Sequence, residues 1–223
     1  RMTRFQLFSL ALLAIAGAAA LWLSGPGREP GATALPLAAE AQESEAVDTS
    51  SVVEMAMGEA DAPVTVIEYA SFTCPHCATF HAQVLPDLKA NYVETGQVRF
   101  VHREVYFDRY GLWAGMVARC GGPERYFGIA DLIYERQREW TRGEPTDVVA
   151  NLRRIGKTAG LTEERLDACL SDGEKAETLV AWYRQNAEAD GIDATPSFVI
   201  DGRKYSNMSY AEFSEILDGK LGG

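Results

Sequence analysis

Positive charge is scarce in this chain, and so are cysteine and histidine. Against 32 acidic residues stand 21 lysines and arginines, for a formal net charge of -11 at pH 7. That balance argues against nucleic acid as a partner, because phosphate binding rests on concentrated Lys and Arg. It favours a soluble monomer. There are three histidines, His76, His81 and His102, and four cysteines, Cys74, Cys77, Cys120 and Cys169. A structural zinc site needs four ligands, commonly from two close Cys pairs. Here only Cys74 and Cys77 are closely spaced, so no metal is expected. The stretch from Ser24 to Ser51 has no aromatic residue, which argues against a packed core there.

The chain opens on a targeting pattern. Arg1 and Arg4 precede an apolar run from Phe5 to Leu23, and Gly25-Pro26-Gly27 follows. A basic start, an apolar centre and small residues after it make a secretory signal, with Ala18-Ala19-Ala20 as the cleavage candidate. The run also approaches the ~20 residues that cross a bilayer. Residues 1–24 therefore read either as a signal peptide or as an N-terminal membrane anchor whose arginines stay in the cytoplasm. On both readings the remainder is exported, into an oxidising compartment where disulfides persist. Residues 25–51 read as a flexible linker, and residues 52–223 as the folded domain. Four cysteines permit three pairings.

The folded part begins with a strand at residues 64–70, a near-continuous β-branched and aromatic run that reads as central and covered on both faces. From Cys77 to about Glu94, Phe80, Val84, Leu85, Leu88 and Tyr92 recur at helical spacing; Pro86 is expected to kink this helix and Gly96 to end it. Residues 97–105 alternate as a second strand, with Val98, Phe100 and His102 on one face. Helices are predicted over 111–120, 123–139, 145–159, 162–170 and 172–190, with Thr162 as an N-cap. Trp113, Trp140 and Trp182 read as packing within that block. Strands return at 196–200 and 203–205 across an Asp201-Gly202 turn. Residues 209–218 close the chain as an amphipathic helix that turns Tyr210, Phe213, Ile216 and Leu217 inward. A βαβ unit, then a hairpin and a helix, with helices inserted at about 108–190, makes the fold class α/β with an all-helical insertion.

Cys74-Pro75-His76-Cys77 carries the chemistry. Two cysteines at this spacing bind metal, form a staple or cycle between dithiol and disulfide. A disulfide across three residues closes too small a loop to stabilise much. The redox reading gains from context, because a strand ends near Ser71 and a helix starts at the pair. Cys74 then sits where unpaired backbone N–H groups and the positive end of the helix dipole favour a thiolate. Such a position lowers a thiol pKa below its usual ~8.5. A stabilised thiolate makes the reduced form stable and the disulfide oxidising. His76 can add a hydrogen bond or a positive charge. Cys74 is expected to be exposed and attacked first; Cys77, one turn further in, is expected to be buried and to resolve the mixed disulfide. Glu68 is a lone acid in an apolar strand, six residues before Cys74. A buried carboxylate is costly; the alternative is that alternation turns it to solvent. His81 and His102 read as ordinary helix and strand residues.

Residues Ile67 to Cys77 resemble the active-site stretch of the DsbA family of periplasmic oxidoreductases, and Cys-Pro-His-Cys is that family's usual motif. Gly191 to Ile200 resembles the segment carrying the family's cis-proline. The resemblance spans about Val52 to Gly219 and implies a thioredoxin-like fold with a helical insertion; the 119 positions between Cys77 and Pro196 leave room for one. It implies a cis Pro196 facing the cysteine pair, with Thr195 before it contacting substrate. It implies that Glu68 lies under the pair and helps proton transfer, and that Cys120 and Cys169 form a second, structural disulfide. The implied activity is disulfide donation to unfolded or newly exported cysteine-containing proteins. No cofactor beyond the Cys74–Cys77 disulfide is implied, and a membrane partner would reoxidise the protein. The alternatives are a disulfide isomerase or reductase on the same fold, or a non-catalytic client-binding module.

Overall fold

A computed structural model describes residues 47–222. The signal or anchor expected at 1–24, and all of the expected linker except its last residues, lie outside the described residues. Residues 47–51 run beside the domain, with the Thr49 hydroxyl 2.9 Å from Gln185 Oε1. Among the described residues, no helix is long and apolar enough to cross a membrane.

The strands are β1 (Met55–Met57), β2 (Val64–Ala70), β3 (Val98–Glu104), β4 (Ser197–Ile200) and β5 (Arg203–Ser206). They form one sheet in the order β1-β3-β2-β4-β5. β2 lies at its centre, parallel to β3 and antiparallel to β4. The short β1, which pairs antiparallel with β3, has no counterpart in the sequence reading. Three residues are too few to show a period of two. Asp201 and Gly202 both take positive φ, 46° and 80°, as a two-residue hairpin turn between β4 and β5 demands.

The helix expected from Cys77 to Glu94 is α1 (Pro75–Gln83), α2 (Leu85–Leu88) and a π-helical turn (Lys89–Val93). The break comes at Val84, two residues before Pro86, whose ring cannot accept a straight helix on its N-terminal side. After β3 come α3 (Arg109–Cys120), α4 (Pro123–Glu135), α5 (Gln137–Trp140), α6 (Pro145–Thr158), α7 (Glu163–Leu170) and α8 (Gly173–Ala189). The single helix expected over 123–139 is thus two helices, hinged at Arg136. α9 (Tyr210–Leu221) follows β5, with Ser209 and Glu212 forming a capping box.

Side chains of even number on β2 and β3 share one buried face. There Val64, Val66, Phe100 and Phe198 pack against Phe80 of α1 and against Phe213 and Leu217 of α9. Further along the same strands this face meets the helical block, where Ala70, Cys77, Ile129, Ile133, Trp140 and Leu152 join one core. On the opposite face Tyr69 and Val199 pack against Ala187 of α8. A buried ion pair pins the block to the sheet: Arg119 donates to both oxygens of Glu104, at 2.7 and 2.6 Å.

The sulfurs of Cys120 and Cys169 are bonded, joining the end of α3 to α7 across 49 positions of sequence. Closing a loop of that length stabilises a fold by about 4 kcal/mol in the chain-entropy model. Cys120→Ser with Cys169→Ser is therefore expected to lower the urea midpoint of a protein whose Cys74–Cys77 pair is held reduced. An unchanged midpoint would show that this bond stabilises nothing.

Candidate active site

The site forms where β2 ends and α1 begins. Ser71 and Thr73 make the turn: the Ser71 and Thr73 hydroxyls lie 3.0 Å apart, and the Thr73 hydroxyl donates to Asp108 Oδ2 at 2.8 Å. Asp108 also caps α3, accepting from the N–H groups of Tyr110 and Gly111. The first residue of the helical block and the active-site turn are thus tied to one carboxylate. A second tie comes from Gln137 of α5, whose amide donates to the carbonyls of Phe72 and Cys74 at 2.8 and 2.9 Å. Gln137 is buried, and nothing in its local sequence announces it, because its partners lie more than 60 residues away.

Cys74 occupies the N-cap of α1 in extended conformation, and Pro75 is the first helical residue. Proline suits that position, since its missing N–H would have had no intrahelical partner. Both cysteines carry free thiols, Cys74 half-buried and Cys77 fully buried. Cys74 Sγ lies 3.4 Å from the Thr195 carbonyl, and the Thr195–Pro196 peptide bond is cis. The chain segments around Cys74 and Pro196, distant in sequence, therefore meet. Pro75 and His76 are exposed, and Pro196 is buried.

The two sulfurs differ sharply. The Cys77 thiol, hydrogen-bonded to the Cys74 sulfur, is the largest influence on Cys74; burial opposes it, and the Thr195 side chain and the N–H groups of Cys77 and His76 add to it. The outcome is a Cys74 pKa lowered to about 5. His76 thus acts through its backbone N–H, and its ring, which was expected to supply a hydrogen bond or charge, stands in solvent. Cys77 goes the other way: burial, then the Cys74 sulfur, then the charge of Glu68 hold it protonated.

Glu68 is fully buried, so alternation does not turn it to solvent. In the register of β2 against β3 it stands opposite His102. Its Oε2 is 2.9 Å from His81 Nε2 and 3.9 Å from His102 Nε2. The two histidines are not ordinary. His81 is stacked on Tyr134 with ring centroids 4.0 Å apart. Burial works against its charged form, yet Glu68 and Asp131 outweigh that and raise its pKa to about 9. Burial dominates at His102 and lowers its pKa to about 4. His102 spends both ring nitrogens on hydroxyls, 2.7 Å from Tyr126 and 3.1 Å from Tyr134. Glu68, His81 and His102 have donor atoms within 4.8 Å of one another, a set chemically able to ligate a metal ion. As arranged, these donors are hydrogen-bonded to one another and to tyrosines. One signal for His102 was present in the sequence, its place on the buried face of β3; for His81 there was none.

The family model described as thioredoxin matches residues 50–219. A Rickettsia bellii protein, provisionally named as a protein-disulfide oxidoreductase, is 34% identical over 166 residues, which are 74% of this chain and 63% of that protein. Disulfide bond formation protein D of Bacillus subtilis is 24% identical over 179 residues, covering 75% of this chain and 77% of that protein. The crystal structure of alpha-DsbA1 from Wolbachia pipientis superposes with a TM-score of 0.71 at 28% identity, over 76% of this chain and 91% of that one. This chain spans about three fifths of the length of the curated Rickettsia relatives it matches.

A thiol whose pKa folding lowers stabilises the folded reduced protein above the ordinary thiol range. It gives that stabilisation up as pH falls through its folded value. For Cys74 that value is about 5. Alkylation of reduced protein by iodoacetamide is therefore expected to label Cys74 with a midpoint near pH 5 and to spare Cys77. A midpoint above about 8, the free-thiol range, would contradict this environment.

Proposed function

Because the chain belongs to the thioredoxin family and has the architecture of DsbA-type proteins, we propose that it is a thiol–disulfide oxidoreductase that donates the Cys74–Cys77 disulfide to cysteine-containing proteins outside the cytoplasm. The observation that carries this reading is a pair of free sulfurs at the start of α1, Cys74 half-buried against the Thr195 carbonyl beside the cis Pro196 and Cys77 fully buried one turn on. A client thiolate attacks Cys74 Sγ of the oxidised pair. The Cys74–Cys77 bond breaks, a mixed disulfide forms, and Cys77 leaves as a thiolate that takes up a proton. A second client thiol then loses its proton and attacks the client sulfur, releasing Cys74 as a stabilised thiolate. Each turnover oxidises two client thiols, protonates Cys77 and releases one proton.

Each residue of the site has a part in this scheme. Cys74 is the attacked sulfur and the good leaving group, since a low-pKa thiol leaves faster. Pro75 and His76 shape the helix start, and His76 lends its N–H. Thr195 and Pro196 form the wall that a client backbone would meet beside Cys74. Glu68 exchanges the Cys77 proton. Phe107, 59% exposed, adjoins the Asp108 that holds Thr73, and offers apolar surface suited to an unfolded client. The apolar start of the chain supports export to the periplasm, free or anchored, and a membrane partner would return the dithiol to the disulfide.

Three measurements test the reading. The reduction potential of the pair is expected to lie well above thioredoxin's about −270 mV, because a stabilised thiolate favours the reduced form. A value near thioredoxin's would favour the reductase alternative. In a dithiol oxidation assay with a reduced client, Cys74→Ser and Cys77→Ser are each expected to abolish turnover, because neither variant can form the disulfide that is donated. Client handling that survives Cys74→Ser would instead point to a binding module. Glu68→Gln keeps the shape and removes the exchangeable charge. It is expected to slow oxidation and change the pH–rate profile, and an unaltered profile would remove Glu68 from the mechanism.

A further inference from the structure

A buried sulfur that gains and loses a proton in each cycle needs a way for that proton to reach water. The face on which Cys74 meets its client offers a poor one, since the client covers it at the moment of transfer. On the other side of Glu68, three observations define an alternative. Glu68 Oε2 and His81 Nε2 are in hydrogen-bond contact at 2.9 Å, both side chains essentially without solvent exposure. The other ring nitrogen, His81 Nδ1, is buried with no hydrogen-bond partner among the described residues. That nitrogen lies 3.8 Å from Oδ1 of Asp131, whose side chain is 60% exposed. His81 and Asp131 both line a cavity of about 400 Å³ bounded by α1, α2 and α4, which Cys74, Thr195 and Pro196 do not line.

We propose that His81 and Asp131 carry the Cys77 proton between Glu68 and the water of this cavity, so that proton exchange and client exchange use different faces of α1. The proposal rests on the oxidoreductase reading and names the residues that complete it. An imidazole can take a proton on one nitrogen while giving one up from the other. Here one nitrogen faces the buried carboxylate and the other lies toward Asp131, which lines the cavity. The 3.8 Å gap to Asp131 is too long for a hydrogen bond, and a bridging water or a rotation of the exposed carboxylate closes it. During client oxidation the new Cys77 thiolate draws a proton from His81 through the Glu68 carboxylate, and His81 is reprotonated from cavity water by way of Asp131. During reoxidation the same proton travels outward as Cys77 attacks.

The groups that face His81 are Glu68 from β2, His102 from β3, and Tyr134 and Asp131 from α4; Cys77 lies one turn before it on α1. Lys89 and Glu135 also line the cavity. His102 is held by two tyrosines, which leaves His81 as the histidine able to reorient its proton. The pKa of His81, raised to about 9 because Glu68 and Asp131 outweigh burial, keeps it protonated and ready to donate at neutral pH.

The test follows one mixed disulfide. Reduced protein mixed with glutathione disulfide forms a glutathione adduct at Cys74; Cys77 then loses its proton, attacks Cys74 Sγ and expels glutathione. Acid quenching and mass spectrometry give the lifetime of the adduct at each pH. Asp131→Asn and His81→Ala are each expected to lengthen it at least about ten-fold near neutral pH, the low end for loss of general acid–base help. The equilibrium constant with glutathione should stay the same, because a proton route speeds both directions alike. Added imidazole, which fits the cavity, is expected to shorten the lifetime in His81→Ala. Pyrazole, a ring of the same size that stays unprotonated at these pH values, is not. Wild-type lifetimes in both variants would overturn the route. So would a slowing matched by an equal change in the equilibrium constant with no imidazole rescue. If His81→Ala does not fold, Asp131→Asn at an exposed position decides alone. If the wild-type protein forms no adduct at Cys74, the oxidoreductase reading itself fails and the route falls with it.

Discussion

A carboxylate in the middle of a sheet is costly to bury unless charge and hydrogen bonds meet it there. Glu68 imposes that condition on the whole centre of this protein. It lies on the central strand with no solvent contact, and the residues around it answer in order. His81 comes from α1 to hydrogen-bond it, His102 comes from the neighbouring strand, and Tyr126 and Tyr134 come from α4 to hold His102. Two residues further along β3, Glu104 meets the same problem and is matched by Arg119 from α3. The helical block is therefore more than an addition to a smaller fold. It supplies the hydroxyls and the guanidinium that make the polar interior of the sheet tolerable.

The same block shapes the chemistry above that interior. Asp108 and Gln137 hold the turn that carries Cys74, one through Thr73 and the other through two backbone carbonyls. With the turn held, the helix start delivers the N–H groups of His76 and Cys77 to one sulfur, while the core closes over the other. A difference in acidity between two identical side chains is thus produced by position alone. Glu68 widens it from below, since its negative charge disfavours a second thiolate at Cys77. Buried charge, helix terminus and clamped turn together make a pair whose disulfide is expected to be oxidising.

Much of this was legible in residue order. The alternation of residues 97–105 and the apolar run at 64–70 marked β3 and β2 to within a residue of their ends. Gly, Pro and N-cap residues marked the helix breaks because each acts locally on its own backbone. Misses fell where the cause was remote or the segment short. β1 has three residues and no periodicity of its own. The split at Arg136 has no breaker residue to signal it. Histidine in a helix has no preferred meaning, so His81 passed as ordinary until the strand register put Glu68 beside it. Gln137 was invisible for the same reason.

Residue order alone set the chemistry available: a close cysteine pair at a strand-to-helix junction, a lone acid in an apolar strand, a Thr-Pro far downstream, and four cysteines of which two lay apart. These are local features, set by backbone sterics and the period of apolar residues. What each group meets was set by the packing of the elements. It put Thr195 against Cys74, joined Cys120 to Cys169, sent the His76 ring to solvent and turned His81 toward Glu68 on one side and Asp131 on the other. The physical reason is that ionisation and proton exchange depend on dielectric and on neighbours a few ångströms away. Those neighbours are chosen by packing between elements, which no single stretch of sequence contains.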